Sequence, residues 1–274
     1  MKKLTLIFLA LIIALPLVLG ACSSNNDTTS KNESKSSSSS SSSQEILKDI
    51  KAKGFLTMAT CTGFEPFEML VDGKYVGVDV DIAQAIADYI GVDLKVIDMD
   101  FDPIVASVQS GKYDLGVAGI TANEKRRKNV DFSDDYYKSS QAIIVASDST
   151  IKTVEDVKDK TIGVQKGTTG ETYCIENKLA FKSYDNGAAA CLALTGKKID
   201  LVIIDGTPAA AHVKASSGAL KLLDEPLTKE SYAIAVKKGN KELLDTVNLV
   251  LKKLKDEGKL KAIFEKYNLV VDED

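Results

Sequence analysis

The stretch PIVASVQSGKYDLGVAGIT (Pro103–Thr121) decides the architecture. Its first half, PIVASVQSG, is patterned as a helix that closes on Gly111, and DLGVAGI then opens on Asp114 and runs as an apolar strand. The same punctuation returns in TGKKIDLVI (Thr195–Ile203), where Gly196 ends a helix and Asp200 opens a strand. Two occurrences in separate halves of the chain point to two similar lobes rather than to a repeat array.

Working outward, strands rich in β-branched and small apolar residues alternate with helices, as expected of α/β units around mainly parallel sheets. FLTMAT (Phe55–Thr60) is the first strand, and DVDIAQAIADYIG a helix with Ile82, Ala85, Ile86, Tyr89 and Ile90 on one face and Gly91 as its stop. DLKVIDM is a further strand before the opening stretch. After it come the strands QAIIVAS, TIGVQ, IDLVII and SYAIAV, with the helices TGETYCIENK, NGAAACLALTG and TPAAAHVKASS between them. Asn240 to Tyr267 forms two amphipathic helices, with Leu243, Leu244, Val247, Leu251 and Leu254 on one face before Gly258 interrupts the run.

The amino-terminal residues read differently. Lys2 and Lys3 precede an apolar stretch too short for a comfortable membrane span, so residues 1–21 are expected to be an export signal. Leu19, Gly20, Ala21 and Cys22 match the lipobox of bacterial lipoproteins, which implies lipidation of Cys22 and anchoring at the extracytoplasmic face of the cell membrane. The Ser-dominated residues 22–44 form an expected flexible linker. A net charge of −4, more acidic still without Lys2 and Lys3, argues against nucleic acid or an anionic membrane surface as the main partner. A composition of 44% hydrophobic residues suits a globular core. Of four cysteines, Cys22 is committed to lipid. Cys61, Cys174 and Cys191 then allow one disulfide at most, with Cys174–Cys191 the better pair and free buried thiols the alternative.

In parallel α/β sheets, ligands bind beyond the carboxyl ends of strands, where helix N-termini offer free amides. That rule selects Cys61, Gly119, Thr121, Thr168, Thr169 and Asp205. TANE (Thr121–Glu124) and TTGE (Thr168–Glu171) both fit a capping box. One falls in each half of the chain, with Arg126 just after the first and Asp205 after another strand. Amides, a guanidinium and a carboxylate together complement a zwitterion. No metal cluster, nucleophile triad or phosphate loop is recognisable, and no cofactor is expected. QKGTTGE lacks the Walker spacing.

Several phrases in order carry a family resemblance: FEPFEM, GKYVGVDVDIAQAIA, MDFDPIVASVQSGKYDLGVAGIT and RRKNVDFSDDYYKS, then more loosely IGVQKGTTGE, DGTP and LKKLKDEGKLKAIFEKY. With these the chain resembles the bacterial extracellular solute-binding proteins of family 3, especially the glutamine-binding type, from about Phe55 to Tyr267. The resemblance implies a two-lobed periplasmic-binding-protein fold (type II) with two crossover hinge strands near Ser140 and Tyr232. Lobe one would comprise residues 45–139 and 233–274, and lobe two residues 140–232. It also implies a non-enzymatic role: binding a free amino acid and passing it to an ABC permease, with the protein expected as a monomer.

Carried over by position, Arg126 would take the α-carboxylate in a bidentate pair, helped by Thr121 and the amide of Thr169. Asp205 and the carbonyl of Gly119 would take the α-ammonium, and Phe64 and Phe101 would wall the ligand. Ala118, Thr168, Cys61 and Gln165 complete the expected contact set. Cys61, Gln165 and Ile204 stand where the glutamine-binding type has an acid, a Lys and a His, so an uncharged or polar side chain such as glutamine is expected ahead of charged ones. Glu65 and Asp102 are candidates to restore a preference for a cation, and cystine is a further candidate through Cys61. Two rivals of other classes remain open at this point. One is a cyclohexadienyl or arogenate dehydratase-like enzyme, although His212, the only histidine, sits in an Ala-rich helix. The other is an amino-acid sensory module.

Overall fold

The computed structural model describes residues 40–270. The expected signal 1–21, Cys22 and most of the linker 22–44 lie outside them. Helix α1 (Ser40–Lys53) begins inside the stretch that composition assigns to the flexible linker, so the last of those residues are helical. Leu47 and Ile50 of α1 pack on the core, and tertiary burial of this kind holds a helix whose serines have little helical preference of their own.

The chain continues through β1 (Phe55–Thr60), the hairpin β2 (Met69–Val71) and β3 (Lys74–Val76), α2 (Val78–Ile90), β4 (Asp93–Asp98), α3 (Ile104–Gln109), β5 (Leu115–Gly116), α4 (Glu124–Arg127), β6 (Val130–Phe132) and β7 (Tyr137–Ser139). There follow β8 (Gln141–Ala146), β9 (Ile162–Gln165), α5 (Thr169–Glu176), β10 (Phe181–Tyr184), α6 (Gly187–Thr195), β11 (Leu201–Asp205), α7 (Gly206–Ala215) and β12 (Leu220–Leu222). The last elements are β13 (Glu230–Tyr232), β14 (Ala235–Lys237), α8 (Lys241–Asp256) and α9 (Lys259–Lys266).

Two five-stranded sheets result, in the orders β4-β1-β5-β14-β6 and β10-β9-β11-β8-β12. Each is mixed rather than mainly parallel. The pairs β1/β4, β1/β5, β9/β10 and β9/β11 are parallel, whereas β14 and β8 run antiparallel to both of their neighbours. The reason is topological. Strands β8 and β14 enter their sheets directly from the passages between the sheets, with no crossover helix to turn them parallel. Those passages are β7 and β13, which pair antiparallel with Tyr137 opposite Tyr232. The run SYAIAV is accordingly divided between β13, which ends at Tyr232, and β14, which begins at Ala235.

Period-two alternation sorts the second sheet into two faces. Ile143, Val145, Leu201 and Ile203 join one apolar cluster with Cys174 of α5, while Ala142, Ile144, Val202 and Ile204 join another with Cys191 of α6. The sheet therefore separates the expected disulfide partners. Cys61, Cys174 and Cys191 are all free and buried.

In the first sheet's helical layer, α2 buries Ile82, Ala83, Ile86, Ala87 and Ile90. Tyr89 is exposed rather than inward, with the Lys253 ammonium 5.0 Å from its ring centroid. Gly91 ends α2 in the left-handed conformation, as its position suggests. Helix α8 buries Leu243, Val247, Val250, Leu251 and Leu254 on one face, each contributing about 1.5–3 kcal/mol through removal from water.

Candidate functional site

The carboxyl ends of β1, β5, β9 and β11 meet at a cleft between the two sheets. Cys61, Phe64, Glu68, Phe101, Gly119, Thr121, Arg126, Gln165, Thr168, Thr169 and Asp205 line it around a cavity of about 10 Å³. Ten of these are residues singled out from the sequence. Ala118 is not among them: its side chain packs into the apolar cluster of Ile104, Ile120 and Val130. Glu68 lines the cleft and was not anticipated. A turn over residues 65–67 brings it opposite Phe64 in an isolated antiparallel bridge, a placement that no local periodicity signals.

Arg126 is the buried member of its basic cluster, at 9% exposure, while Lys125, Arg127 and Lys128 are exposed. The cap of α4 is Asn123, whose Oδ1 accepts from the Arg126 amide at 2.9 Å, and not Thr121 as the capping-box reading had it. Thr121 is engaged elsewhere. Its carbonyl accepts from Arg126 Nη1 at 2.9 Å and its hydroxyl donates to Glu230 Oε2 at 2.6 Å. Arg126 Nη2 crosses the cleft to the Gly167 carbonyl at 3.0 Å, and the guanidinium lies 5.2 Å from the Phe101 ring centroid. Burial lowers its pKa, with Asp205 and Glu230 opposing at longer range. The guanidinium therefore donates to neutral carbonyls and, among the described residues, has no carboxylate in ion-pair contact.

Thr168 caps α5 as expected, accepting from the Glu171 amide at 3.3 Å. The Glu171 carboxylate returns to the Gly167 amide at 2.8 Å rather than to the cap's own nitrogen. Thr169, the first residue of α5, donates its hydroxyl to Glu230 Oε2 at 2.9 Å. Glu230, on β13, thus gathers Thr121 from one side of the cleft and Thr169 from the other, and its second oxygen accepts from Thr228 at 2.7 Å. Both threonine hydroxyls are spent on this carboxylate.

Asp205, at the end of β11, is the opposite pole. Oδ1 accepts from Tyr232 at 2.6 Å and Ser139 at 3.1 Å, and Oδ2 from Gln141 Nε2 at 2.7 Å. Burial first, then Glu230, pushes its pKa up to about 6. All of its hydrogen-bond partners are neutral, so at neutral pH it is a buried anion with no cation in contact among the described residues. Gly119 presents its backbone here at φ +53°, a conformation that favours glycine. A Cβ at this position would fall 2.5 Å from the Phe64 ring. The Gly119 amide is held by Asp79 Oδ2 at 2.8 Å.

At the remaining wall, Gln165 Nε2 donates to Cys61 Sγ at 3.6 Å and to the Asp185 carbonyl at 3.3 Å. Burial, then Asp98, pushes the Cys61 thiol up to about 11, so it is a neutral, polarizable surface and not a nucleophile. Asp102 pairs with Lys166 at 3.0 Å at the exposed rim, and Glu65 is exposed outside the lining. Neither presents a free charge to the cleft. His212 lies on α7 outside the lining, and among the described residues no three His, Cys, Asp or Glu side chains gather as a metal-holding group.

Two mixed sheets joined by paired strands, with separated buried charges in the cleft between them, define a two-lobed solute-binding protein. Residues 56–270 match the family described as bacterial extracellular solute-binding proteins, family 3, and the chain belongs to that family. It is 33% identical to the arginine-binding extracellular protein ArtP of Bacillus subtilis over 218 residues, covering 77% of this chain and 85% of the relative. It is 30% identical to the L-cystine-binding protein TcyJ of Escherichia coli K12 over 227 residues, covering 81% and 85% respectively. Among solved structures it resembles an ancestral arginine-binding protein bound to glutamine, at 40% identity and a TM-score of 0.75, with 78% of this chain and 98% of that chain covered.

Proposed function

We propose that the protein binds a free amino acid in this cleft and delivers it to an ABC permease, without chemistry on the ligand. One observation carries the reading. Arg126 and Asp205 are oppositely charged, both buried in the same cleft, and among the described residues neither makes an ion-pair contact, although they attract one another at longer range. Each isolated buried charge costs stability, and an α-carboxylate at Arg126 with an α-ammonium at Asp205 offsets both costs at once. With the threonine hydroxyls taken by Glu230, the amides of Thr121 and Thr169 are the groups available to the carboxylate. Phe64 and Phe101 supply the apolar walls.

The amino acid favoured by the uncharged Cys61 and Gln165 is glutamine or another uncharged polar one, whereas Ile204 packs in the apolar cluster with Cys191 and not in the cleft lining. Relatives named for arginine and cystine, and an ancestral relative solved with glutamine, support the ligand class. Residues 45–139 with 233–274 form one lobe and 140–232 the other, and bending at β7 and β13 closes them. Lipid on Cys22 and the serine-rich linker hold a monomeric protein beside its permease and raise its local concentration there. Calorimetric titration of residues 23–274 with the twenty amino acids and cystine tests the reading. Saturable heat with at least one is expected, and none with any would refute it, whereas turnover of prephenate or arogenate would favour a dehydratase.

Glu230 bridges both sides of the cleft through Thr121 and Thr169, so it is expected to hold the empty protein closed. Glu230→Ala should therefore enlarge the radius of gyration of the ligand-free protein in small-angle scattering, with saturating ligand restoring the smaller value. An unchanged ligand-free value would remove Glu230 from the closing contacts.

A further inference from the structure

We infer that Glu68 selects the ligand by the end of its side chain, accepting hydrogen bonds from an amide, guanidinium or ammonium group and disfavouring side chains that end in carboxylate or hydrocarbon. The inference rests on the amino-acid reading above and deepens it. Glu68 lines the cleft, is 1% exposed, and accepts no hydrogen bond on either carboxyl oxygen among the described residues, its own proton being directed to the neighbouring Asp79 carboxylate. A buried acceptor left in this state costs stability, which a ligand donor would recover.

Several polar groups around it are engaged elsewhere. Asp79, its acidic neighbour, is held by the Gly119 amide at 2.8 Å and the Tyr136 hydroxyl at 2.7 Å. Gln165 gives its amide hydrogens to Cys61 and Asp185, and Arg126 gives its own to Thr121 and Gly167. Asp205 already receives three donors and is placed to take the α-ammonium. Glu68 alone among the cleft acids awaits a donor, and it stands beside the uncharged Cys61 wall.

Burial and the neighbouring Asp79 also hold the Glu68 proton well above the usual carboxylate range. In the empty cleft the group is then a neutral acid whose carbonyl oxygen can accept from an amide, and which can ionise against a cation. A ligand carboxylate meets there the negative charges of Asp79 and Asp205, and like charges brought together in a buried site are strongly disfavoured.

The test is titration of the full mature protein with glutamine, its isostere glutamate, arginine and leucine, for wild type and Glu68→Gln, with thermal unfolding as a check of folding. Wild type is expected to bind glutamine or arginine at least about 100-fold more tightly than glutamate and leucine, because a site with an unmet acceptor rejects analogues lacking the donor. In Glu68→Gln, whose amide can donate to a carboxylate, the gap between the donor-bearing ligands and glutamate should narrow at least about tenfold. Equal wild-type affinity for glutamine, arginine and glutamate would overturn the inference, and that comparison needs no variant. So would a uniform loss across all four ligands in Glu68→Gln, which would instead assign Glu68 to the ammonium or to the fold. Binding of none of the four by wild type would overturn the amino-acid reading itself, and this inference with it.

Discussion

Arg126→Ala is expected to weaken amino-acid binding about 1,000-fold, equivalent to about 4 kcal/mol, while Arg127→Ala changes it by less than about twofold. The two arginines are adjacent in sequence and opposite in environment. Arg126 is buried in the cleft with only carbonyl partners, whereas Arg127 is exposed, donates to the Ala122 carbonyl at 3.2 Å and lies over Phe132. Removing Arg126 leaves a ligand carboxylate desolvated and unpaired, which is where most of the loss arises. Arg126→Lys should also lose most of the affinity, because an ammonium lacks the fork that grips both carboxylate oxygens. Stability should move the other way. The empty protein carries a buried cation without an ion partner, so Arg126→Ala is expected to leave the ligand-free melting temperature unchanged or higher. Calorimetry and thermal unfolding on the same samples read both effects. A variant that binds normally, or Arg126 and Arg127 variants that lose affinity alike, would refute the role.

Asp205→Asn should cost about 100-fold or more in affinity and should also abolish a pH dependence. Asp205 is pushed up to about 6 by burial, and an α-ammonium requires it ionised. Affinity should therefore be flat above about pH 6 and fall about tenfold for each unit below it, as the ligand competes with a proton. Asp79 is likewise raised to about 6 by burial, so the slope that disappears in Asp205→Asn is the portion belonging to the cleft. The sign for folding follows from the same shifts. A carboxyl whose folded pKa is raised from 3.8 to about 6 favours the folded state when protonated. Its contribution is complete below pH 3.8 and lost as pH rises through 6, at about 3 kcal/mol for each of these two buried acids. The ligand-free protein thus gives up stability at neutral pH to keep Asp205 charged, and bound ammonium restores part of it. A pH-independent wild-type affinity between pH 4 and 7 would rule this out.

Much of the fold follows from short-range pattern. FLTMAT is β1 to the residue, Gly91 and Gly258 interrupt helices where they stand, and the helices of the second half fall where their apolar spacing puts them. Period, punctuation and caps act over a few residues, so they are visible without tertiary context. Sheet direction was not visible in this way, because whether β8 and β14 run parallel depends on where the chain enters the sheet, not on their composition.

The cleft divides along the same line. The sequence by itself determined which strand ends and helix starts face a ligand, and with the family resemblance it named Arg126, Thr121, Thr169 and Asp205 in their places. Only the tertiary structure decided how those groups are spent. It assigned the Thr121 and Thr169 hydroxyls to Glu230, replaced Thr121 by Asn123 as the cap of α4, set the second sheet between Cys174 and Cys191, and left the Glu68 carboxyl without a donor among the described residues. The physical reason is that a buried polar group takes whatever donor or acceptor the fold brings within about 3 Å, and here those partners come from the far side of a cleft, more than a hundred residues away for Thr121 and Glu230.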